Sequence, residues 1–185
     1  MKKINLLRII PMMVAMALAV VVVSSCDKVK DLAEFDIPYT LPDAHFSIDS
    51  VNYLPKTEQL LLQQTMTLNV DSIIDANNLD GIGETQFEYV RLEIETPTWV
   101  NFSWLTSARV TVSAQGLAET QVAEITSVSP DGRTAELQLS NTDVSSTISN
   151  GSFVIKVYGN VTPPLPAGTI NLMLKSKIKM TVQPL

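Results

Sequence analysis

From residue 44 onward, apolar and polar side chains alternate with a period of two, and this alternation limits the fold more than any other feature. Successive side chains of a β-strand point to opposite faces, so such alternation predicts half-buried strands. The clearest case covers residues 170–182, where six of the seven even-numbered residues are apolar and Ser176 is the exception. We therefore expect residues 170–182 to be a strand whose even-numbered side chains face a core.

Shorter segments with the same alternation predict an all-β domain. Turn signals separate them, among them Ser129-Pro130-Asp131-Gly132, Asn150-Gly151 and the proline-rich residues 163–168. Short strands joined in this way are typical of sandwiches, so we expect an antiparallel immunoglobulin-like β-sandwich of about seven to nine strands. The alternating segments lie near residues 46–48, 65–70, 90–95, 109–113, 122–128, 134–139 and 153–157.

Two stretches do not alternate and predict short helices. In residues 71–79, apolar side chains recur at roughly helical spacing after Asp71 or Ser72, either of which can cap a helix. Residues 96–105 contain both tryptophans, and we expect a one-turn helix or a loop that closes one end of the sandwich.

The first 25 residues have the layout of a bacterial secretion signal. Lys2, Lys3 and Arg8 give a positive start, and residues 9–23 form an uncharged run of 15 almost wholly apolar residues. Because a bilayer span takes about 20 apolar residues, this run favours a signal-peptide helix over a permanent transmembrane helix.

Val23-Ser24-Ser25-Cys26 closes this segment and contains the only cysteine of the chain. The four residues resemble the bacterial lipobox, which implies cleavage after Ser25 and a diacylglycerol on Cys26. A plain signal peptide with an incidental cysteine, or a membrane anchor, is the alternative. We expect a signal peptide over residues 1–25, a lipidated tether over 26–42 and the sandwich over 43–185. Within the tether, residues 29–35 can form a short helix.

Charge and cysteine content restrict the partners. Removal of the signal leaves 10 basic against 19 acidic residues, a net charge of −9. Phosphates repel such a protein, so nucleic acid is not an expected partner. We expect the membrane as a partner, through the lipid on Cys26, together with an envelope protein or a glycan.

Familiar catalytic and metal-binding sets are missing from the sequence. His45 is the only histidine, and its place in the alternation predicts an exposed strand position. With Cys26 lipidated, we expect no Ser-His-Asp triad, no zinc site and no cofactor. A hydrolase that uses carboxylates alone, such as a glycosidase, is the alternative function. Four acidic residues do not match the spacing of a calcium-binding loop: Asp71, Asp75, Asp80 and Glu84.

Two groups of side chains are candidates for surface recognition. Trp99 and Trp104 can stack on sugar rings, although burial in the core is the alternative and is favoured. Lys175, Lys177 and Lys179 project from one face of the last strand. We expect them to protect a sheet edge from strand addition, with contact to an anionic glycan or lipid headgroup as the alternative.

Residues 34–40 (EFDIPYT), 102–114 (FSWLTSARVTVSA) and 149–166 (SNGSFVIKVYGNVTPPLP) together resemble uncharacterised envelope lipoproteins of the Bacteroidota with one β-sandwich domain. The resemblance implies a cell-envelope location and no assigned activity, and we expect the lipid to anchor the protein in the outer membrane, in the periplasmic or the surface leaflet. Around Ser50 and Ser72, the tripeptides DSV and DSI resemble O-glycosylation acceptors of these bacteria. The expected function is non-catalytic binding or structural assembly, and glycan binding by Trp99 and Trp104 is its sharpest version.

Overall fold

A computed structural model of the chain describes residues 34–49, 57–129, 131–162 and 165–184. These ranges contain nine strands: β1 (Phe35–Thr40), β2 (Ala44–Asp49), β3 (Glu58–Thr67), β4 (Leu79–Thr96), β5 (Leu105–Ser113), β6 (Thr120–Val128), β7 (Thr134–Leu139), β8 (Ser152–Val161) and β9 (Thr169–Pro184). Two short α-helices, α1 (Val70–Asn77) and α2 (Ser145–Ile148), and a one-turn 3₁₀ helix (Phe102–Trp104) accompany them. None of these helices is long and apolar enough to span a bilayer.

All strand pairings in the described ranges are antiparallel, and the strands follow the order β1–β9–β4–β7–β6–β5–β8–β3. β1 and β2 lie end to end along one side of β9. The sheet curls until β2 approaches β3, and its concave face encloses one apolar core. The predicted all-β antiparallel sandwich, with its strand count and short helices, is confirmed.

β9 is an interior strand of this sheet, since it pairs with β1 and β2 on one side and with β4 on the other. All its even-numbered residues from Ile170 to Val182 are at most 2% exposed. The predicted core-facing register is therefore confirmed. Ser176 is buried with the others, and its Oγ has no hydrogen-bond partner among the described residues.

The predicted helix near residues 71–79 is confirmed as α1, with a different cap. Asn69 precedes the helix, and its side-chain oxygen accepts a hydrogen bond from the Ser72 amide at 3.0 Å. Asn78 ends the helix in the left-handed conformation, with φ of 51°. The predicted caps, Asp71 and Ser72, instead lie in the first turn.

α2 was not predicted, because four residues are too few to show a helical period. Asp143 organises it from outside: its Oδ1 accepts from the amides of Ser145 at 2.8 Å and Thr85 at 3.0 Å. Thr147 and Ile148 are buried and attach the helix to the core.

The assignment of residues 35–40 to the tether is wrong, because these residues form β1. Phe35 lies opposite Val182 and Thr40 opposite Lys177. Pro38 is compatible with this edge strand, where its missing N–H costs no ladder bond. The sheet therefore begins before residue 43. The signal peptide and Cys26 lie outside the described residues. Residues 29–33 of the short helix expected in the tether also lie outside them.

The two ends of the sheet carry different loops. The entry end contains Phe35, α1, α2 and residues 114–119, whereas the distal end contains residues 97–104 and 129–133. Along β9, Val182 lies beside Phe35 and Thr169 lies beside Asp49 at the distal end. At about 3.3 Å per residue, the two ends are about 40 Å apart.

Candidate functional site

The structure separates the two tryptophans. Phe102 and Trp104 form the 3₁₀ helix, are 1% and 2% exposed, and pack with ring centroids 5.9 Å apart. Trp99 is 68% exposed. A ring in the core cannot stack on a ligand, so the predicted platform of Trp99 with Trp104 is wrong, and Trp99 alone is accessible.

Trp99 occupies the corner of a tight turn at the distal end. The Val100 amide donates to the Pro97 carbonyl at 3.2 Å, which leaves Thr98 and Trp99 at the central positions. Val100 is buried, and the Phe102 amide donates to the Gly132 carbonyl at 2.6 Å. The backbone on the C-terminal side of the indole is therefore anchored to the core and to the β6–β7 turn.

Gly132 allows this anchoring because of its conformation and its size. Its φ is 71°, which favours glycine, and a Cβ there would lie 2.7 Å from the Asn101 Cβ. The β6–β7 turn can therefore approach the loop of Trp99 only with glycine at this position.

A polar groove of about 330 Å³ lies near this turn, on the outer face where β2, β9 and β4 meet. Ser47 Oγ donates to Asn171 Oδ1 at 2.8 Å, and Asn171 Nδ2 donates to Thr96 Oγ1 at 2.7 Å. We call this the Ser47–Asn171–Thr96 row. The groove is lined by His45, Phe46, Ser47, Glu95, Thr96 and Asn171.

A β-bulge in β4 brings consecutive residues into this groove. Ile94 lies opposite Leu172 and Thr96 opposite Asn171, so Glu95 is the extra residue. Arg133 Nη2 donates to the carbonyls of Ile94 at 2.8 Å and Glu95 at 3.2 Å, which fixes the bulge to the β6–β7 turn. The sequence alternation gave no signal for this bulge, because it depends on the partner strand.

The predicted exposed position of His45 is confirmed, with 59% of its side chain accessible. Its Nδ1 lies 3.0 Å from Glu95 Oε2 across the groove. Ser47 lies two residues after His45 on β2, and its hydroxyl donates a hydrogen bond to Asn171 and not to the imidazole. This arrangement presents hydrogen-bonding groups to the groove without pairing a hydroxyl nucleophile with a base.

Carboxylates on the outer face of β3, β5 and β8 are engaged by basic and hydroxyl groups. Arg109 donates to both oxygens of Glu58 at 2.7 and 2.8 Å, and this hydrogen bonding lowers the Glu58 pKa. Burial raises the pKa of Glu119, but hydrogen bonds from Lys156 and nearby hydroxyls outweigh burial and lower it. A glycosidase acid needs a raised pKa, so these two carboxylates do not suit that role.

The acidic residues between 71 and 84 do not converge as a group. Asp80 and Glu84 line a cleft of about 420 Å³ at the entry end together with Glu34, whereas Asp71 and Asp75 lie on α1. Within the described ranges, no three His, Cys, Asp or Glu side chains are placed to hold a metal ion. The sequence could not associate Glu34 with this cleft, since β1 brings it there.

The expectation that the three lysines protect a sheet edge is wrong, because β9 is paired on both sides. Each lysine instead forms a cross-strand ion pair, a common way to stabilise the outer face of a sheet. The pairs are Lys175 with Glu93 at 2.9 Å, Lys177 with Glu88 at 3.0 Å and Lys179 with Asp36 at 3.1 Å.

The two predicted O-glycosylation acceptors lie in different situations. Ser72 is exposed in the first turn of α1, so its hydroxyl is open to solvent at the entry end. Ser50 and the lipidation residue Cys26 lie outside the described residues.

No protein-family model matches the chain, and no curated protein matches it. Among solved structures, a chain of Desmodium yellow mottle tymovirus is similar at 14% identity and a TM-score of 0.29, covering 82% of this chain and 90% of that one. A chain of turnip yellow mosaic virus is similar at 12% identity and a TM-score of 0.26, covering 80% and 96%. Likenesses at these TM-scores carry no argument about this chain.

Proposed function

We propose that this chain is a lipid-anchored protein of the bacterial cell envelope, and that its non-catalytic β-sandwich binds a partner at the distal end. The anchor is the lipid on Cys26, and an envelope glycan or protein is the partner. The observation that carries the proposal is the position of Phe35 at one end of the sheet and of exposed Trp99 at the other.

Chain length supports this orientation. Cys26 precedes Phe35 by nine residues, which reach about 30 Å when fully extended. The distal end lies about 40 Å from Phe35 along β9. Even a tether folded back along the sheet falls short of the loop of Trp99, so the lipid on Cys26 does not reach that loop.

The side-chain chemistry of the distal end supports binding over catalysis. Trp99 gives a large exposed aromatic surface on a fixed turn, and the nearby groove presents hydroxyl, amide and imidazole groups. Outside the groove, Glu58 and Glu119 on the outer face of β3, β5 and β8 have lowered pKa values, which is the opposite of what a carboxylate acid requires. Release of reducing sugar from envelope glycans by the purified protein would favour the glycosidase instead.

The anchor is tested by metabolic labelling with an alkyne fatty acid. We expect the wild-type protein to take up the label and to fractionate with membranes, and Cys26→Ser to lose both properties, because a hydroxyl is a poor substitute for the thiolate. Ser25→Ala is the matched control, since it keeps a small residue before the cysteine and should be labelled normally. Retained label in Cys26→Ser would contradict the proposal.

A further inference from the structure

We infer that the groove near Trp99 binds a neutral oligosaccharide, with one sugar ring on the indole and the next sugars along the Ser47–Asn171–Thr96 row. This inference rests on the proposed function and specifies the ligand class of its binding end. The proposed site combines Trp99 with residues of β2 and β9, and nothing in the sequence links these residues to Trp99.

The indole and the row are close enough to serve one ligand. Thr96 ends β4 and forms one end of the row, and Trp99 follows three residues later. Three residues span at most about 11 Å, and the turn closed between Pro97 and Val100 shortens this distance. The backbone of Trp99 therefore lies within reach of a short linear glycan that occupies the row.

The row leaves a defined set of hydrogen-bonding groups for a ligand. The Asn171 amide accepts from Ser47 and donates one of its two N–H groups to Thr96. Ser47 directs its O–H to Asn171 and presents lone pairs, whereas Thr96 accepts from Asn171 and keeps its own O–H to donate. Neighbouring acceptor and donor groups match sugar hydroxyls, each of which both donates and accepts.

The groove is fixed before any ligand arrives. Arg133 holds the carbonyls of the bulge at Ile94 and Glu95, and the amide of Asn171 bridges three strands. Groups held in place on a sheet lose little conformational entropy on binding, which favours affinity for a flexible ligand.

Charge selects a neutral ligand over an anionic one. Glu95 lines the groove, and none of its lining residues within the described ranges is lysine or arginine. The nearby guanidinium of Arg133 is directed to the carbonyls of Ile94 and Glu95. The lysines on the adjacent outer face of β9 are occupied by Glu93, Glu88 and Asp36. A sulfated sugar, a uronic acid or a phosphate would meet an unfavourable potential here.

The experiment uses the full-length lipoprotein in detergent, first on a microarray of neutral and acidic glycans and then by calorimetric titration with a glycan that binds. Trp99→Ala removes the stacking surface, and Asn171→Ala breaks the row. Leu117→Ala is the control for the indole, because Leu117 is an exposed apolar side chain at the entry end. Asn160→Ala is the control for the row, because the Asn160 amide donates to Ser107 Oγ at 2.8 Å on β5 and β8.

We expect neutral glycans to bind, and Trp99→Ala and Asn171→Ala to weaken the affinity by about tenfold or more, as loss of a stacking or polar contact commonly does. The two controls should stay within about twofold, and thermal melts should show that all four variants fold. A preference for acidic glycans, or undiminished affinity in both groove variants, would overturn the inference and leave the proposed function standing. Absence of glycan binding by the folded wild type would also overturn the inference. The lipid anchor is tested independently, by the fatty-acid labelling.

Discussion

At the scale of single residues, position and not residue type decides what each tryptophan does. Trp99 and Trp104 are five residues apart, yet one is 68% exposed and the other 2%. The anchored turn presents the first to solvent, and the 3₁₀ helix directs the second into the core. Trp104 therefore contributes to stability, and Trp99 is left to the proposed binding of a ligand.

Alanine substitutions separate these roles. Trp104→Ala empties a large space in the core and should reduce the free energy of unfolding by about 3–5 kcal/mol. Trp99→Ala removes an exposed ring and should change it by no more than about 0.5 kcal/mol. Chemical denaturation followed by circular dichroism measures both values, and equal losses would contradict the assignment of Trp104 to the core.

At the scale of elements, β9 organises the molecule, because its inner face supplies the core and its outer face pairs with acidic residues of β1 and β4. The inner face is apolar at every even position except Ser176. The outer face carries the lysine pairs and, towards the distal end, Asn171 of the groove. One strand therefore connects the stability of the domain to the geometry of the proposed binding groove.

Two substitutions on opposite faces of β9 test this division. Leu174→Asp places a charge in the core and loses about 1.5–3 kcal/mol of apolar burial besides the cost of desolvation, so a large share of the protein should unfold. Lys177→Ala breaks only a partly exposed ion pair with Glu88 and should cost at most about 1 kcal/mol. Thermal melts of the full-length protein compare the two variants, and similar melting temperatures would contradict this assignment of the two faces of β9.

At the scale of the whole molecule, charge is arranged in pairs across strands, and this arrangement makes stability depend on pH. Hydrogen bonds from Lys179, Arg109 and Ser129 lower the pKa values of Asp36, Glu58 and Asp131. In Asp143, burial raises the pKa, but hydrogen bonds from the Thr85 and Ser145 amides outweigh it and the pKa is lowered. The folded protein therefore holds fewer protons than the unfolded chain at acid pH.

The sign of the pH dependence follows from these lowered pKa values. A carboxyl whose folded pKa lies below its unfolded value stabilises the fold above the unfolded pKa and loses this contribution as pH falls through the folded one. We expect the melting temperature to be steady near neutral pH and to fall below about pH 4. In Asp143→Asn, the melting temperature should decrease less between neutral and acid pH than in the wild type. Asp75→Asn on α1 is the control. A melting temperature that rises on acidification would contradict the prediction.

The sequence by itself determined the local features of this protein. Alternation marked part of each strand from β2 to β9, although it reached only the last residues of β3 and the C-terminal third of β4. It also assigned the inward face of β9, because a period of two places every second side chain on one face. Helical spacing located α1, and proline, glycine and serine marked the β6–β7 turn. The lipobox likeness and Cys26 remain predictions of the sequence, since they lie outside the described residues.

Only the tertiary structure decided what depends on contacts between distant segments. β1 was not predicted as a strand, although Phe35, Ile37 and Tyr39 do alternate with Asp36, Pro38 and Thr40, because Pro38 favoured an extended tether and the hydrogen bonds of β1 come from β9. The interior place of β9 is a property of strand order, and it lets the three lysines that were expected at an edge form ion pairs across strands. The groove combines His45 and Ser47 with Glu95, Thr96 and Asn171, which the chain holds up to 126 residues apart. Sequence periodicity assigns side chains to faces, but only the pairing of strands decides which faces meet.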